Sequence, residues 1–177
     1  MRVVCLAGGV GGAKLADGLQ QILGPGELTV IVNTADDIER HALAIWPDHD
    51  TVLYTLAGIA DPIQGWGIAG ESWQVMGQLA RLGEETWFRL GDRDLATHLF
   101  RTARLRQGAR PTEVAIELAR SLGVESHILP MADRPVRTQV RTPDGQLFDA
   151  SGRFEIEWVR GASGEWLLAQ VATFPAK

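Results

Sequence analysis

The 177 residues hold a single cysteine, Cys5. One thiol excludes an intramolecular disulfide framework and a multi-cysteine zinc site. Inside an apolar run it reads as a small buried hydrophobe. Met1-Arg2 leads into the short apolar run Val3 to Ala7, too short for a signal segment or a membrane span. A cytoplasmic protein is the expectation. Basic residues are outnumbered: 17 Lys and Arg face 22 Asp and Glu, a net charge of −5. That balance argues against bulk nucleic-acid binding but leaves room for a local basic pocket. The histidines His41, His49, His98 and His127 show no metal-ligand spacing, and most read as structural or surface residues. No serine has the flanks of a nucleophile elbow. Hydrophobic content of 45% and charged content of 22% are ordinary for a globular domain. One domain over residues 1–177, with a substantial core, is expected.

Val3 to Ala7 reads as a buried parallel strand. Leu15, Leu19, Ile22 and Leu23 give helical spacing from Ala13 to Leu23, stopped by Gly24-Pro25-Gly26. Leu28 to Val32 is a second strand, so the chain opens with a right-handed βαβ unit. Thr34 to Asp50 reads as polar and irregular. Helices are predicted at Thr51 to Ala57, Ser72 to Leu82, Asp92 to Arg106 and Pro111 to Leu122, the last with Pro111 and Glu113 as start signals. Thr86 to Leu90 reads as the third sheet strand, and His127 to Leu129 as a short one. From Val136 the texture becomes β-rich. Segments Val136 to Thr142, Gln146 to Phe148, Phe154 to Val159 and Trp166 to Ala172 are separated by Pro143-Asp144-Gly145, Ser151-Gly152 and Gly161 to Gly164.

Chemistry concentrates in three places. Gly8-Gly9-Val10-Gly11-Gly12 follows the first strand, with Lys14 close behind. Such a turn brings backbone N–H groups and the positive end of a helix to a phosphate. It misses the dinucleotide fingerprint, because Lys14 stands where the third glycine belongs, and it misses the Walker pattern. A tight strand-to-helix connection is the alternative. Asp36-Asp37 and Pro47-Asp48-His49-Asp50 form two acidic clusters at expected strand ends. Carboxylates around a phosphate ester make sense if Mg²⁺ mediates; solvated surface acids are the alternative. Trp87-Phe88-Arg89-Leu90-Gly91-Asp92-Arg93-Asp94 places charges densely at a helix start. Arg89 offers a fork for phosphate or carboxylate. Asp92 can also serve as an N-cap, and Arg93 with Asp94 as an exposed pair. Trp46, Trp66, Trp73 and Trp87 lie near these motifs, where one could stack on a flat heterocycle.

These segments, in this order, resemble the 2-phospho-L-lactate transferases of deazaflavin coenzyme F-420 biosynthesis, which include bacterial phosphoenolpyruvate transferases. The likeness rests on Leu6 to Leu15, Val32 to Asp37, Pro47 to Gly58, Gly65-Trp66-Gly67, Trp87 to His98 and Leu129 to Asp133. It reaches to about Leu147, with 148–177 as a divergent β-rich tail. The resemblance implies an α/β, Rossmann-like three-layer fold with a mostly parallel sheet, truncated and closing in antiparallel hairpins. It implies a Mg²⁺-dependent transferase. The donor would be a GTP-derived guanosine diphosphate carrying lactate or enolpyruvate. The acceptor would be the ribityl hydroxyl of the deazaflavin precursor FO, with GMP leaving. Asp50 and Arg89 would contact the deazaflavin. Gly8, Gly9, Gly11, Gly12 and Lys14 would hold phosphate. Asp92, Arg93 and Asp94 would support catalysis, and Asp37 and Asp50 would ligate the metal. The family's Phe-Gln-(acidic)-Trp and Gly-Pro-Ser-Asn-Pro segments do not occur in this sequence. The expectation is therefore an incomplete nucleotide site, completed by another chain or a homodimer, and a chain that binds better than it turns over. A non-catalytic nucleotide-sugar-binding regulator of the same superfamily is the alternative.

Overall fold

A computed structural model describes residues 1–141 and the strand backbones at 147–149, 154–160 and 166–173. The chain forms two compact units, Met1–Val136 and Arg137–Lys177.

The first unit opens with β1 (Val3–Ala7), α1 (Gly9–Ile22) and β2 (Leu28–Val32), the strand–helix–strand order that the hydrophobic pattern predicts. After these come β3 (Ile38–Arg40), β4 (Leu43–Ile45), α2 (Pro47–Leu56), α3 (Gln74–Arg81), α4 (Asp92–Arg106), α5 (Pro111–Ser121) and β5 (His127–Pro130). β1, β2 and β5 make a parallel sheet in that order, with Cys5 beside Val30 and Val30 beside Ile128. Those three residues share the face that packs on Ala13 and Ala16 of α1, Val52 and Leu53 of α2, and Val114 and Leu118 of α5. The small residues let α1 lie close. A Cβ built on Gly12 would fall 2.8 Å from the Ala7 Cα, so only glycine fits there. On the opposite face of β1, Val4 and Leu6 are exposed.

Three expectations change. Thr86 to Leu90 is not a strand; the third sheet strand is β5. The run is apolar because Leu90 is buried, and Phe88 partly so, in a second cluster with Ile38, Ile45, Met76 and Leu95. A short apolar run reports burial, not strand geometry. Thr34 to Asp50 is not irregular. It holds the antiparallel pair β3–β4, turned at His41 and Ala42 with φ of 49° and 58°, and then the start of α2. Two residues with positive φ make the turn that matches strand twist, yet neither is the glycine that would have announced it. Finally, α1 begins at Gly9, so the glycine turn is the helix's own first turn, with Gly8 at its N-cap.

α4 matches its predicted span. α5 starts at Pro111 with Glu113 accepting the Arg110 N–H at 2.9 Å. Beyond β5, Asp133 accepts the N–H and hydroxyl of Thr112 at 2.8 and 2.7 Å, holding the same helix end.

In the second unit, β6 (Gln139–Arg141) pairs antiparallel with β7 (Leu147–Asp149), and β8 (Phe154–Arg160) with β9 (Trp166–Thr173). The β segments thus fall where the sequence places them. The predicted turns at Pro143-Asp144-Gly145, Ser151-Gly152 and Gly161 to Gly164 lie outside the described residues. Among the described residues, no helix is long and apolar enough to cross a membrane.

Candidate functional site

Pro47 at the first position of α2 fixes the helix start. Asp48, His49 and Asp50 therefore fan out from one turn, successive side chains separated by about 100°. The two carboxylates end in different places.

Asp48 turns toward the start of α1. It accepts from the Asn33 amide at 2.8 Å, and the same amide donates to Asp36 at 3.1 Å. A Cβ built on Gly8 or Gly9 would lie 3.2 or 3.4 Å from the Asp48 carboxylate oxygens, so that carboxylate rests against the glycines. Gly9 has φ +53°, a conformation that favours glycine. Gly11 has open space around its Cβ position, and Lys14 is exposed one turn into the helix. Asp37, half-buried, adjoins Asp36. The N-terminus of α1 thus carries free N–H groups and two neighbouring carboxylates. A bare phosphate would be repelled by those carboxylates. A hard cation would suit these oxygen donors.

Asp50 turns the other way, into a cavity of about 350 Å³. It is buried and ion-paired with Arg101 of α4, itself fully buried. Burial would raise the Asp50 carboxyl; the Arg101 charge, with help from His49 and His98, instead holds it down at about 2. Arg101 also donates to the Ala44 carbonyl at 3.1 Å and to His98 Nδ1 at 3.0 Å, and stacks on Trp46 at 4.4 Å. His98 Nε2 lies 3.2 Å from Asp94 Oδ2, and Tyr54 donates to Asp94 Oδ1 at 2.5 Å. Burial and the Asp50 and Asp94 carboxylates push the Tyr54 hydroxyl far above its ordinary range, so it stays protonated. His49, sealed against Trp46, is pushed below its usual value by burial. Asp50, Asp94 and His98 bring ligand atoms within 4.8 Å of one another. The Arg101 guanidinium already pairs with Asp50, one of the two carboxylates of that cluster, which makes it a poorer cation site than Asp36 and Asp48.

Arg89 opens on the same cavity, its guanidinium stacked on Trp73 at 4.0 Å. Trp66 and Trp87, each partly exposed, line the cavity too. The structure therefore brings Asp50, Arg89 and Asp94 together. Asp92 and Arg93 face elsewhere. Asp92 accepts from Ser72 Oγ at 2.6 Å and from the N–H groups of Gln74 and Val75, capping α3, and these bonds lower its carboxyl. The Arg93 guanidinium donates to the Ala69 carbonyl at 2.7 Å.

Sequence reasoning missed Glu71, which accepts the N–H groups of Arg93 and Asp94 at 2.8 Å each and so occupies the start of α4. Gly91 makes room for it: a Cβ there would fall 2.1 Å from Glu71 Cδ. It also missed Arg101, His98 and Tyr54. The signal for His98 and Arg101 was available, since Asp94, His98 and Arg101 follow helical spacing on one stripe of α4.

A family model for the 2-phospho-L-lactate transferase CofD matches residues 3–172. A phosphoenolpyruvate transferase of Kitasatospora aureofaciens is 44% identical over 162 residues, covering 90% of this chain and 50% of that protein. A 2-phospho-L-lactate transferase of Methanosarcina acetivorans is 41% identical over 157 residues, covering 89% and 50%. A phosphoenolpyruvate transferase of Mycobacterium tuberculosis is 40% identical, covering 90% and 53%. The chain spans about half the length of these relatives. A crystal structure of a UPF0052 family member from Bacillus halodurans superposes with a TM-score of 0.51 at 17% identity, over 84% of this chain and 46% of that one. That likeness bears on the fold alone.

Proposed function

Because the chain belongs to the CofD family of 2-phospho-L-lactate transferases, we propose that it takes part in transfer of a phospholactyl or phosphoenolpyruvyl group to a deazaflavin precursor. The observation that carries this reading is the cavity. Asp50 and Arg89, the two residues the family resemblance assigns to deazaflavin contact, line one space together with Trp66 and Trp87. The tryptophans offer apolar faces to a flat heterocycle. Asp50, ionised at neutral pH, offers a charged acceptor to a polyol hydroxyl. Arg89 offers a fork to a polar edge of the ring system.

In this reading the donor's diphosphate lies at the start of α1, where Gly8, Gly9 and Gly11 permit close backbone approach, Gly12 serves the packing of α1 on β1, and Lys14 adds positive charge. Asp36 and Asp48, with Asp37 beside them, would hold Mg²⁺, which when bound neutralises phosphate charge. The acceptor hydroxyl oxygen forms a bond to the outer phosphorus. The bond from that phosphorus to the bridging oxygen breaks, GMP leaves with the electron pair, and the hydroxyl proton passes to Asp50 or solvent. Such a transfer relies on alignment and charge stabilisation. Asp94, braced by Tyr54, and Asp92, through its cap on α3, support the loop that carries Arg89. The reaction takes place in the cytoplasm.

The test is a fluorescence titration of the chain with the deazaflavin precursor. Asp50→Asn and Arg89→Ala should each weaken binding by about 1–3 kcal/mol. Unchanged affinity in both variants would refute the assignment. Calorimetry with the guanosine diphosphate donor, with and without EDTA, tests the metal: donor affinity should fall when EDTA is present.

A further inference from the structure

Arg101 has a consequence for His98. A guanidinium donates and never accepts. Its 3.0 Å contact with His98 Nδ1 therefore makes that nitrogen the acceptor. The ring proton must then sit on Nε2. That Nε2 is buried and lacks an aligned hydrogen-bond partner, although Asp94 Oδ2 is only 3.2 Å away. The same guanidinium binds Asp50 through Oδ1. Asp50 Oδ2 is left buried and without a hydrogen bond. Unmade hydrogen bonds on buried groups are costly and call for an explanation. Here both residues line one cavity, and Asp50 Oδ2 lies 3.6 Å from His98 Nδ1, across the ring from Nε2. One is a donor and the other a charged acceptor. A hydroxyl is the group that satisfies both: its oxygen accepts from Nε2–H while its proton goes to Oδ2.

We infer that His98 Nε2–H and Asp50 Oδ2 form a hydroxyl-reading pair, and that Arg101 is the positioning residue that sets it. Arg101 is suited to this task. It is fully buried, anchored to the Ala44 carbonyl and stacked on Trp46, so its fork cannot swing. Lysine would keep the charge but not the two-pronged geometry. The inference rests on reading the cavity as the acceptor site, and the hydroxyl concerned is the terminal one of the polyol chain.

The experiment compares two ligands, the deazaflavin precursor and its analogue lacking the terminal ribityl hydroxyl. Affinities are measured by fluorescence titration on the native chain, His98→Leu, His98→Gln and Arg101→Lys. The native chain should prefer the hydroxylated ligand by about tenfold to a hundredfold. His98→Leu and Arg101→Lys should lose that preference while binding the deoxy analogue as before. His98→Gln, whose amide can place a donor near the Nε2 position, should retain much of it. A merely structural role would weaken both ligands equally, and that result overturns the inference, as does discrimination surviving in His98→Leu. If Arg101→Lys does not fold, the two His98 variants carry the test. Native chain that binds neither ligand overturns the acceptor-site reading itself, and the pair with it.

Discussion

Asp48 and Asp50 leave the same turn of α2 and end in opposite environments. Asp48 is half-buried, shares an amide with Asp36 and rests against glycines. Asp50 is buried, paired with Arg101 and held well ionised. Two residues along a helix is a rotation of about 200°, so one short motif serves two regions. The glycine-turn region gathers negative charge in reach of solvent. The cavity region seals a hydrogen-bonded network around the Asp50–Arg101 ion pair beside aromatic walls. In the proposed function the first region would meet a cation and an anion, and the second would hold a fixed polar surface against a neutral ring with hydroxyls.

The strongest way to break this comparison is to delete each carboxylate. Asp50→Ala leaves Arg101 buried without its counter-charge, and about 3–5 kcal/mol of stability should be lost. Asp48→Ala removes one side-chain hydrogen bond from Asn33 and should cost about 0.5–1.5 kcal/mol. Urea unfolding of both variants decides the matter, and equal losses would mean that the two regions are not energetically distinct.

The glycines sharpen the comparison within the first region. Gly12→Ala pushes a methyl group into the β1 backbone and should destabilise by about 1–3 kcal/mol. Gly11→Ala meets open space and should stabilise the helix by up to about 1 kcal/mol. If Gly11 serves close approach of a phosphate, that stabler variant will bind the guanosine diphosphate donor more weakly. Thermal melts beside donor calorimetry separate the two effects; a Gly11→Ala chain that is stabler and binds normally would show the turn to be a packing device.

The smallest effect lies away from both regions and serves as a baseline for an exposed carboxylate. Thr112, through its hydroxyl and then its N–H, lowers the Asp133 carboxyl. A lowered carboxyl stabilises the fold above its unfolded value and loses that contribution as pH falls through the folded one. Asp133→Ala should cost about 0.5–1 kcal/mol at pH 7, and the gap to the native chain should close below about pH 4. Melting temperatures at pH 7 and pH 3 check it; a gap that persists at pH 3 would show that charge is not what the cap supplies.

Much of this was legible in the sequence. The opening βαβ unit follows from apolar runs bounded by glycine, and α4 and α5 from periodicity and start signals. The pairing of β8 with β9 follows from alternation and turn residues. Arg89 stood out among dense charge at a helix start and Asp50 within an acidic cluster, and the family resemblance assigned both to one ligand. The β3–β4 hairpin was not legible, because His41 and Ala42 adopt a turn usually advertised by glycine or asparagine. Nor was the failure of Thr86 to Leu90 as a strand, since burial in a side cluster gives the same apolar pattern as burial in a sheet.

By itself, then, the sequence determined what depends on neighbours along the chain: helical stripes, strand alternation, helix starts, and which residue types crowd each corner. Only the tertiary structure decided which partners those residues meet. Arg101 reaches Asp50 across 51 positions, and Glu71 reaches the start of α4 across more than 20. Arg101 could have been a solvated face of α4, and Asp92 the cap of its own helix instead of α3. The physical reason is that local periodicity sets the direction in which a side chain points, while its charge state and hydrogen bonds depend on what packing brings to that point from distant segments.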